Sequence, residues 1–217
     1  RPAIAAILPS KKDPIVMLDM GANVDCKPAH LCQFAFMGHF FCKLVLNHPS
    51  PKVELLNIGE ERDKGDSLTL DTYQLLEKLP LNFVGNIEGK EILLGSADVV
   101  VCDGFVGNCV LKFGEGVADV FSKFFKEEAK RSLRSLIGLL FLKPAFLTFK
   151  KDFDYTEYGG APLLGVDGVA IIAHGSSNDI AVKNAIRLAI TTIDSDMVET
   201  IKNAVANVDF ELDKVPA

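Results

Sequence analysis

Several motifs that identify common enzyme classes are missing from this 217-residue sequence. It has no GxxxxGK[ST] loop, no HExxH segment and no GxGxxG that follows a strand and opens a helix. Their absence removes support for nucleotide hydrolysis, zinc proteolysis and standard dinucleotide binding. Cysteine is scarce as well. The five cysteines are odd in number, and none of them forms a CxxC pair. Neither a disulfide framework nor a metal site is predicted, and a reducing cytoplasm is the expected location.

An excess of basic residues and long apolar runs are also missing. The chain has 23 Lys and Arg against 29 Asp and Glu, a net charge of −6, so no nucleic-acid partner is predicted. The apolar run LIGLLFL at 136–142 is closed by Arg134 and Lys143. Because a spanning helix needs about 20 apolar residues, no transmembrane helix is predicted there. Pro144 predicts two short helical pieces that meet at the proline.

Short apolar runs alternate with segments of helical period along the chain. Strands are predicted at 15–20, 52–58, 82–87, 98–103 and 169–174. Helices are predicted at 28–47, 67–79 with Ser67 as the cap, 107–130, 178–190 and 194–207. The alternation predicts an α/β fold with a mainly parallel sheet between helices. We expect a single α/β domain over 1–217 with a helical excursion at about 131–165.

Four polar or glycine-rich loops follow predicted strands, at 21–25, 59–67, 103–108 and 174–178. Ligands of such folds gather at the carboxyl ends of the strands. Lys64 could hold phosphate or polarise a carbonyl, or it belongs to a solvated charged loop. Asn108 could donate a hydrogen bond to an oxyanion, or it caps a helix. His174 could act as a general base, although a lone histidine is more often structural.

The sequence resembles the phosphate acyltransferases of bacterial phospholipid synthesis. The matching stretches are LDMGANVDCKPAHLCQFAFMG, LLNIGEERDKGDSLT, NFVGNIEGKEI, ADVVVCDGFVGNCVLK, DYTEYGGAPLLGV and IIAHGSSN, in colinear order. The resemblance implies transfer of a fatty acyl group from acyl carrier protein to inorganic phosphate. It further implies a Rossmann-like α/β/α sandwich, related to phosphotransacetylases and isocitrate or isopropylmalate dehydrogenases, in a homodimer without cofactor. Family members carry a further N-terminal portion, so the chain is expected to be the C-terminal two thirds.

The resemblance also implies roles for residues in the polar loops. Lys64 would steer phosphate or polarise the carbonyl, Asn108 would stabilise the oxyanion, and His174 would support them. Gly104 and Gly107 belong to a predicted strand-to-helix turn, where the first N–H groups of the helix are unpaired and attract anions, and Gly175, Ser176 and Ser177 repeat this arrangement. Together with Asn23, Asp25 and Asp103 they are the candidate substrate-binding residues. Asp25 can instead be a turn residue, and Asp103 a strand-end carboxylate bonded to nearby amides.

The apolar run at 136–142 lies among cations in an otherwise acidic chain. Lys123, Lys126, Lys130, Arg131 and Arg134 precede or border it. Cations beside apolar side chains suit an anionic lipid surface and also an acidic acyl carrier protein. Peripheral attachment to the inner face of the cell membrane is therefore predicted, through Leu136, Ile137, Leu139, Leu140 and Phe141. A dimer interface or core packing is the alternative reading of the same residues.

Two other functions compete with the acyltransferase. A dehydrogenase-like enzyme of the same fold type is disfavoured by the missing dinucleotide fingerprint. A membrane-associated scaffold without enzymatic activity would keep the fold and bind vesicles without turnover.

Overall fold

The computed structural model describes residues 1–152, 159–175 and 177–208, the side chains of 145–152 excepted. The chain forms two compact units, one of Arg1–Asn108 with Tyr155–Ala217 and one of Cys109–Asp154. The expectation of one catalytic domain stays a prediction.

A five-stranded sheet forms the centre of the first unit. Its strands, in spatial order, are β2 (Ala6–Leu8), β3 (Ile15–Leu18), β6 (Val99–Val101), β4 (Val53–Asn57) and β5 (Phe83–Glu88). The β2 strand runs antiparallel to β3, and the other neighbours are parallel. The two central strands β3 and β6 are buried along their whole length, which is why their sequences IVML and VVV are continuously apolar.

A second, three-stranded sheet belongs to the same unit. It consists of β1 (Ala3–Ile4), β7 (Ala161–Leu164) and β8 (Ile171–Ile172), and both pairings are antiparallel. The two sheets are linked because β1 and β2 are separated only by Ala5, whose N–H donates to the carbonyl of Pro162 at 2.9 Å.

Six α-helices complete the described structure. They are α1 (Pro28–Leu44), α2 (Ser67–Leu76), α3 (Gly104–Arg131), α4 (Leu133–Asp152), α5 (Asp179–Asp194) and α6 (Met197–Ala206). A short 3₁₀ helix spans Ile92–Leu94. The start of α1 is favoured by Pro28, whose missing N–H costs nothing in the first turn.

The core lies between the five-stranded sheet and the layer formed by α1 and α2. Phe34 and Phe41 of α1 are fully buried and belong to one cluster with Leu18 and Val99 of the sheet. Burial of each such side chain contributes about 1.5–3 kcal/mol. Gly38 allows the close approach of helix and sheet, because a Cβ there would lie 2.6 Å from Cγ1 of Val99.

The predicted α/β class with a mainly parallel sheet is confirmed, and four of the five predicted strands lie in that sheet. The fifth predicted strand, at 169–174, is shorter and more exposed than predicted and does not belong to the parallel sheet. Only Ile171–Ile172 is extended, and it pairs with β7 alone among the described residues. Ile172 is 43% exposed, because a strand at the edge of a small sheet has no second neighbour to cover it.

Two local predictions about helix ends are also wrong. Helix α2 is capped by Asp66 and not by Ser67, because the Asp66 carboxylate accepts from the N–H of Thr69 at 2.8 Å. Helix α4 continues through Pro144 to Asp152. A proline removes one backbone donor of a helix, and the turns on either side can keep theirs. No described helix is both long and apolar enough to cross a membrane.

Candidate functional site

The carboxyl edge of the parallel strands brings three polar loops together. Because β3, β6 and β4 are parallel neighbours, the segments that follow them emerge at the same edge of the sheet. These segments are residues 19–27, 102–104 and 58–66. They carry Asn23 and Asp25, Asp103 with the start of α3, and Lys64. We call this set of residues the edge site.

The first loop of the edge site is built around Asp19, whose side chain is fully buried. Its Oδ1 accepts from the N–H groups of Ile4, Gly21 and Ala22 at 3.0, 3.2 and 3.0 Å. Its Oδ2 accepts from the N–H and the Nδ2 of Asn23 at 2.7 and 2.8 Å. Five neutral donors thus compensate the desolvation of this buried carboxylate. Without hydrogen-bond partners, its transfer from water would cost several kcal/mol.

Asn23 connects this loop with the neighbouring segments. Its Nδ2 donates to the carbonyl of Pro2 at 2.7 Å, and its carbonyl accepts from the N–H of Gly104 at 2.8 Å. Its Oδ1 accepts from Nη1 of Arg1 at 3.4 Å. The side chain is buried and all its polar atoms have protein partners. Binding of substrate by Asn23 stays a prediction. The observed contacts show that Asn23 holds neighbouring backbone segments together.

The start of α3 is capped by Asp103. Its Oδ1 accepts from the N–H groups of Phe105 and Val106 at 2.8 and 2.9 Å. The N–H of Gly107 donates to the carbonyl of Asp103 at 3.0 Å. The expectation of unpaired N–H groups that attract an anion at this helix start is therefore wrong. A carboxylate cap already satisfies them.

Asn108 is the fifth residue of α3 and so does not cap the helix. A Cβ built on Gly21 would lie 3.7 Å from Cβ of Asn108, which places Asn108 beside the Asp19 loop. Gly107 permits this packing, since a Cβ there would collide with the carbonyl oxygen of Asp19. A Cβ on Gly104 would lie 2.7 Å from the carbonyl oxygen of Asn23. The two predicted glycines, Gly104 and Gly107, thus allow the start of α3 to lie close to the backbone of the Asp19 loop.

The loop that carries Lys64 is held by two asparagines on neighbouring strands. Asn57 of β4 donates from Nδ2 to the carbonyl of Lys64 at 2.9 Å. Asn86 of β5 donates from Nδ2 to the carbonyl of Glu61 at 2.9 Å. Gly65 has φ +106 and lies against Asn57, so the turn requires glycine. Among the described residues the Lys64 ammonium makes no ion pair, so it is available to an anion.

The predicted residues after β8 are not at the carboxyl edge of the five-stranded sheet. His174 and Gly175 follow β8 of the three-stranded sheet, and the N–H of Ser177 donates to the carbonyl of His174 at 3.0 Å. Ser176 lies outside the described residues. Asn178 caps α5 through a 2.9 Å hydrogen bond from the N–H of Ala181. The edge site therefore contains Lys64, Asp103 and Asn108, and the His174 loop is a separate element.

Cys26 lies in the first loop of the edge site, and the pKa of its thiol is raised. Its Sγ donates to the carbonyl of Asn23 at 3.4 Å. Burial, and then the negative charge of Asp103, raises the pKa of the Cys26 thiol to about 11. At neutral pH the thiol is protonated and a poor nucleophile. Among the described residues no group of three or more His, Cys, Asp or Glu could hold a metal ion.

The second unit carries the predicted membrane residues. Leu136, Ile137, Leu140 and Phe141 are exposed in it, and Phe141 retains 82% of its accessible surface. Leu139 is half-buried and lines a small crevice together with Phe125 and Ala129. Ser132 begins α4 by accepting from the N–H of Ser135 at 3.0 Å. These four exposed side chains are therefore not packed into the core of this unit.

Comparison with known proteins identifies the family. The family described as "Fatty acid synthesis protein" matches residues 1–200. The phosphate acyltransferase of Moorella thermoacetica is 53% identical over 201 residues, which cover 93% of this chain and 59% of that protein. The phosphate acyltransferase of Pelotomaculum thermopropionicum is 51% identical over 211 residues, 97% of this chain and 62% of that protein. The chain thus spans about three fifths of the length of these curated relatives.

Solved structures show the same fold at low identity. A phosphotransacetylase from Streptococcus pyogenes superposes with a TM-score of 0.53 at 14% identity, over 92% of this chain and 54% of that one. A branched-chain phosphotransacylase from Enterococcus faecalis gives a TM-score of 0.52 at 14% identity, over 88% and 64%. With these curated relatives at about half identity, the chain belongs to the fatty acid synthesis protein family that includes the phosphate acyltransferases.

Proposed function

We propose that the chain carries the transfer site of a phosphate acyltransferase, which moves a fatty acyl group from acyl carrier protein to inorganic phosphate. Family membership and the edge site support this proposal. The observation that carries it is the placement of Lys64, which makes no ion pair within the described part of the chain, and of the amide donor Asn108 in segments that follow neighbouring strands at one sheet edge. An anionic nucleophile and a carbonyl oxygen that becomes negative require these two kinds of group.

In the proposed reaction a phosphate oxygen attacks the thioester carbon. A C–O bond forms and the C–S bond breaks, so the products are acyl phosphate and the carrier's thiol, whose sulfur takes up a proton from solvent. Lys64 attracts phosphate to the edge site and Asn108 donates from Nδ2 to the oxyanion. Asp103 and Asn23 hold the shape of the site through the hydrogen bonds described above. The role of His174 stays a prediction, because its loop follows β8 of the three-stranded sheet.

A thioester assay tests this proposal directly. The purified 217-residue chain is mixed with acyl-acyl carrier protein, with and without inorganic phosphate, and acyl phosphate and unacylated carrier protein are quantified by mass spectrometry. We expect product only with phosphate, and strong loss in Lys64→Ala and Asn108→Ala. Thioester loss that does not depend on phosphate would count against the proposal. Vesicle binding without any turnover would favour a scaffold, and binding of a nicotinamide nucleotide would favour a dehydrogenase.

The second unit supports a proposal about partners. Five cations, Lys123, Lys126, Lys130, Arg131 and Arg134, accompany the exposed apolar residues of α4. We propose that this unit rests on anionic lipid at the inner face of the cell membrane and that its cations attract acidic acyl carrier protein. A homodimer that covers part of the same surface is proposed as well. Light scattering at several protein concentrations measures that association.

A further inference from the structure

An apolar crevice of about 400 Å³ opens in the first unit, outside the edge site. Its walls are α1, the end of β7 with the loop 165–168, and α6. Its apolar lining residues include Met37, Leu164, Met197 and Ile201. A cavity of this size lies within the range of small-molecule sites, which are mostly apolar with few polar groups.

The position of the crevice connects it with the edge site. Helix α1 begins directly after the Asp19 loop, and Gln33 and Met37, on one face of this helix, line the crevice. At 1.5 Å per residue, Met37 lies roughly 14 Å along the axis from the helix start. Arg1 also lines the crevice, and its Nη1 is 3.4 Å from Oδ1 of Asn23. Arg1 therefore belongs to the crevice wall and also contacts the edge site, through Asn23.

The charges around the crevice suit an anionic amphiphile. Arg1 and Lys202 are the cations among its lining residues, and Asp167 is the one acid. Lys202 lies 3.8 Å from Oδ1 of Asp167 and 3.5 Å from Oε1 of Glu199, and all three side chains are largely exposed. Such exposed pairs are weak, so the ammonium stays available to a ligand. Gly165, with φ +82, brings its loop against Met37 and closes the wall.

We infer that this crevice binds the long acyl chain whose carbonyl end reacts at the edge site. That the bound acyl chain is the group transferred in the reaction rests on the proposed function. The apolar walls, the contact of Arg1 with Asn23 and the two cations beside the crevice carry the inference. The proposed occupant is a straight fatty acyl chain that ends in an anion, as in an acyl phosphate or a free fatty acid.

Binding of a fluorescent long-chain fatty acid to the full 217-residue chain tests the inference without any need for turnover. Val198 is a half-buried wall residue, and we expect Val198→Trp to fill the crevice and weaken binding at least tenfold. Val182→Trp is the matched control, because Val182 is exposed on α5 and does not line the crevice. Its binding should stay within twofold of the unaltered chain. Val205→Trp, in the same wall, gives a second variant, and thermal unfolding shows that each variant is folded.

Competition by saturated fatty acids of increasing length sharpens the test. Affinity should rise about threefold to fourfold per added methylene until the crevice is filled, and then level off. All titrations are repeated in Leu136→Glu with Leu140→Glu, so that adsorption to the apolar surface of α4 is removed.

The outcomes separate this inference from the proposed function. Unchanged fatty-acid binding in both Val198→Trp and Val205→Trp overturns the crevice assignment, even if phosphate-dependent transfer is observed. Absence of fatty-acid binding in the unaltered chain overturns it too. Loss of binding in the two crevice variants, with no transfer by any form, supports an acyl site and rejects the transfer reaction for this chain.

Discussion

The carboxylate of Asp19 accepts two hydrogen bonds from one residue, Asn23, through its N–H at 2.7 Å and its Nδ2 at 2.8 Å. This pair fixes the loop after β3 from within. The same asparagine receives the N–H of Gly104 at its carbonyl. A buried carboxylate thus determines the relative position of the β3 loop and the start of α3, the two segments beside Asn108.

The first prediction concerns Asp19→Asn. The new amide can still accept at one oxygen, but its NH₂ group faces the two donors of Asn23. Because a buried donor is left without an acceptor, we expect a loss of about 2–4 kcal/mol in the free energy of unfolding, measured with urea. Asp25→Asn is the control on the exposed end of the same loop and should change stability by at most about 0.5 kcal/mol. Equal effects at both positions would contradict the proposed role of Asp19.

The second prediction compares two glycines of α3 under the same substitution. Gly107→Ala places a methyl group against the carbonyl of Asp19, whereas a Cβ on Gly114 meets no atom within 4 Å. Gly107→Ala should destabilise the protein by about 3 kcal/mol, because backbone atoms cannot move aside cheaply. Gly114→Ala should stabilise the helix by about 0.5–1 kcal/mol. Changes of the same sign in thermal unfolding would refute this packing.

The sequence predicts the parallel strands because their burial on both faces requires continuous apolar runs such as IVML and VVV. It also predicts that the loops with Lys64 and Asp103 meet at one edge. Parallel strands carry their following loops to the same side, so no side-chain detail is needed.

The part that could not be predicted depends on tertiary pairing. The strands β1 and β7 have two and four residues, and β7 contains Pro162, so neither has a local signal. The exposure of Ile172 depends on which strand lies next to it. The importance of Asp19 had one signal, an acid at the end of a fully apolar run, where burial demands partners. Asn57 and Asn86, the anchors of the Lys64 loop, look in the sequence like ordinary strand residues.

The third prediction separates the parts of Lys64 and Asn108 in turnover. Lys64→Ala should raise the KM for phosphate about tenfold, since it removes the cation that attracts the nucleophile, and Lys64→Arg should restore part of it. Asn108→Ala should lower kcat about 10²–10³-fold with little change in KM, because an oxyanion donor acts mainly in the transition state. Steady-state kinetics with varied phosphate measure both. Lys112→Ala, an exposed lysine paired with Glu115, should behave as the unaltered chain.

The fourth prediction tests the membrane contact of the second unit. Leu136→Glu with Leu140→Glu places two charges on exposed apolar positions, 46% and 63% accessible. Sedimentation with anionic vesicles should fall at least tenfold, while transfer from soluble acyl carrier protein stays largely intact. Ile186→Glu with Ile190→Glu makes the same change at exposed positions of α5, 58% and 53% accessible, and should leave vesicle binding unchanged. Retained binding in the α4 variant rejects the membrane contact.

The fifth prediction uses the Cys26 thiol as a reporter of the edge site. Its pKa of about 11, against an ordinary value of 9, leaves about a hundredfold less thiolate at pH 8, so alkylation by iodoacetamide should be about a hundredfold slower than that of an ordinary thiol. The rate should rise about tenfold per pH unit up to pH 11. Exposed Cys109 in the same chain is the internal reference, followed by peptide mass spectrometry. Asp103→Asn removes a negative charge that raises this pKa, so Cys26 should react faster in that variant. An unchanged rate in Asp103→Asn would show that burial alone sets the reactivity of Cys26.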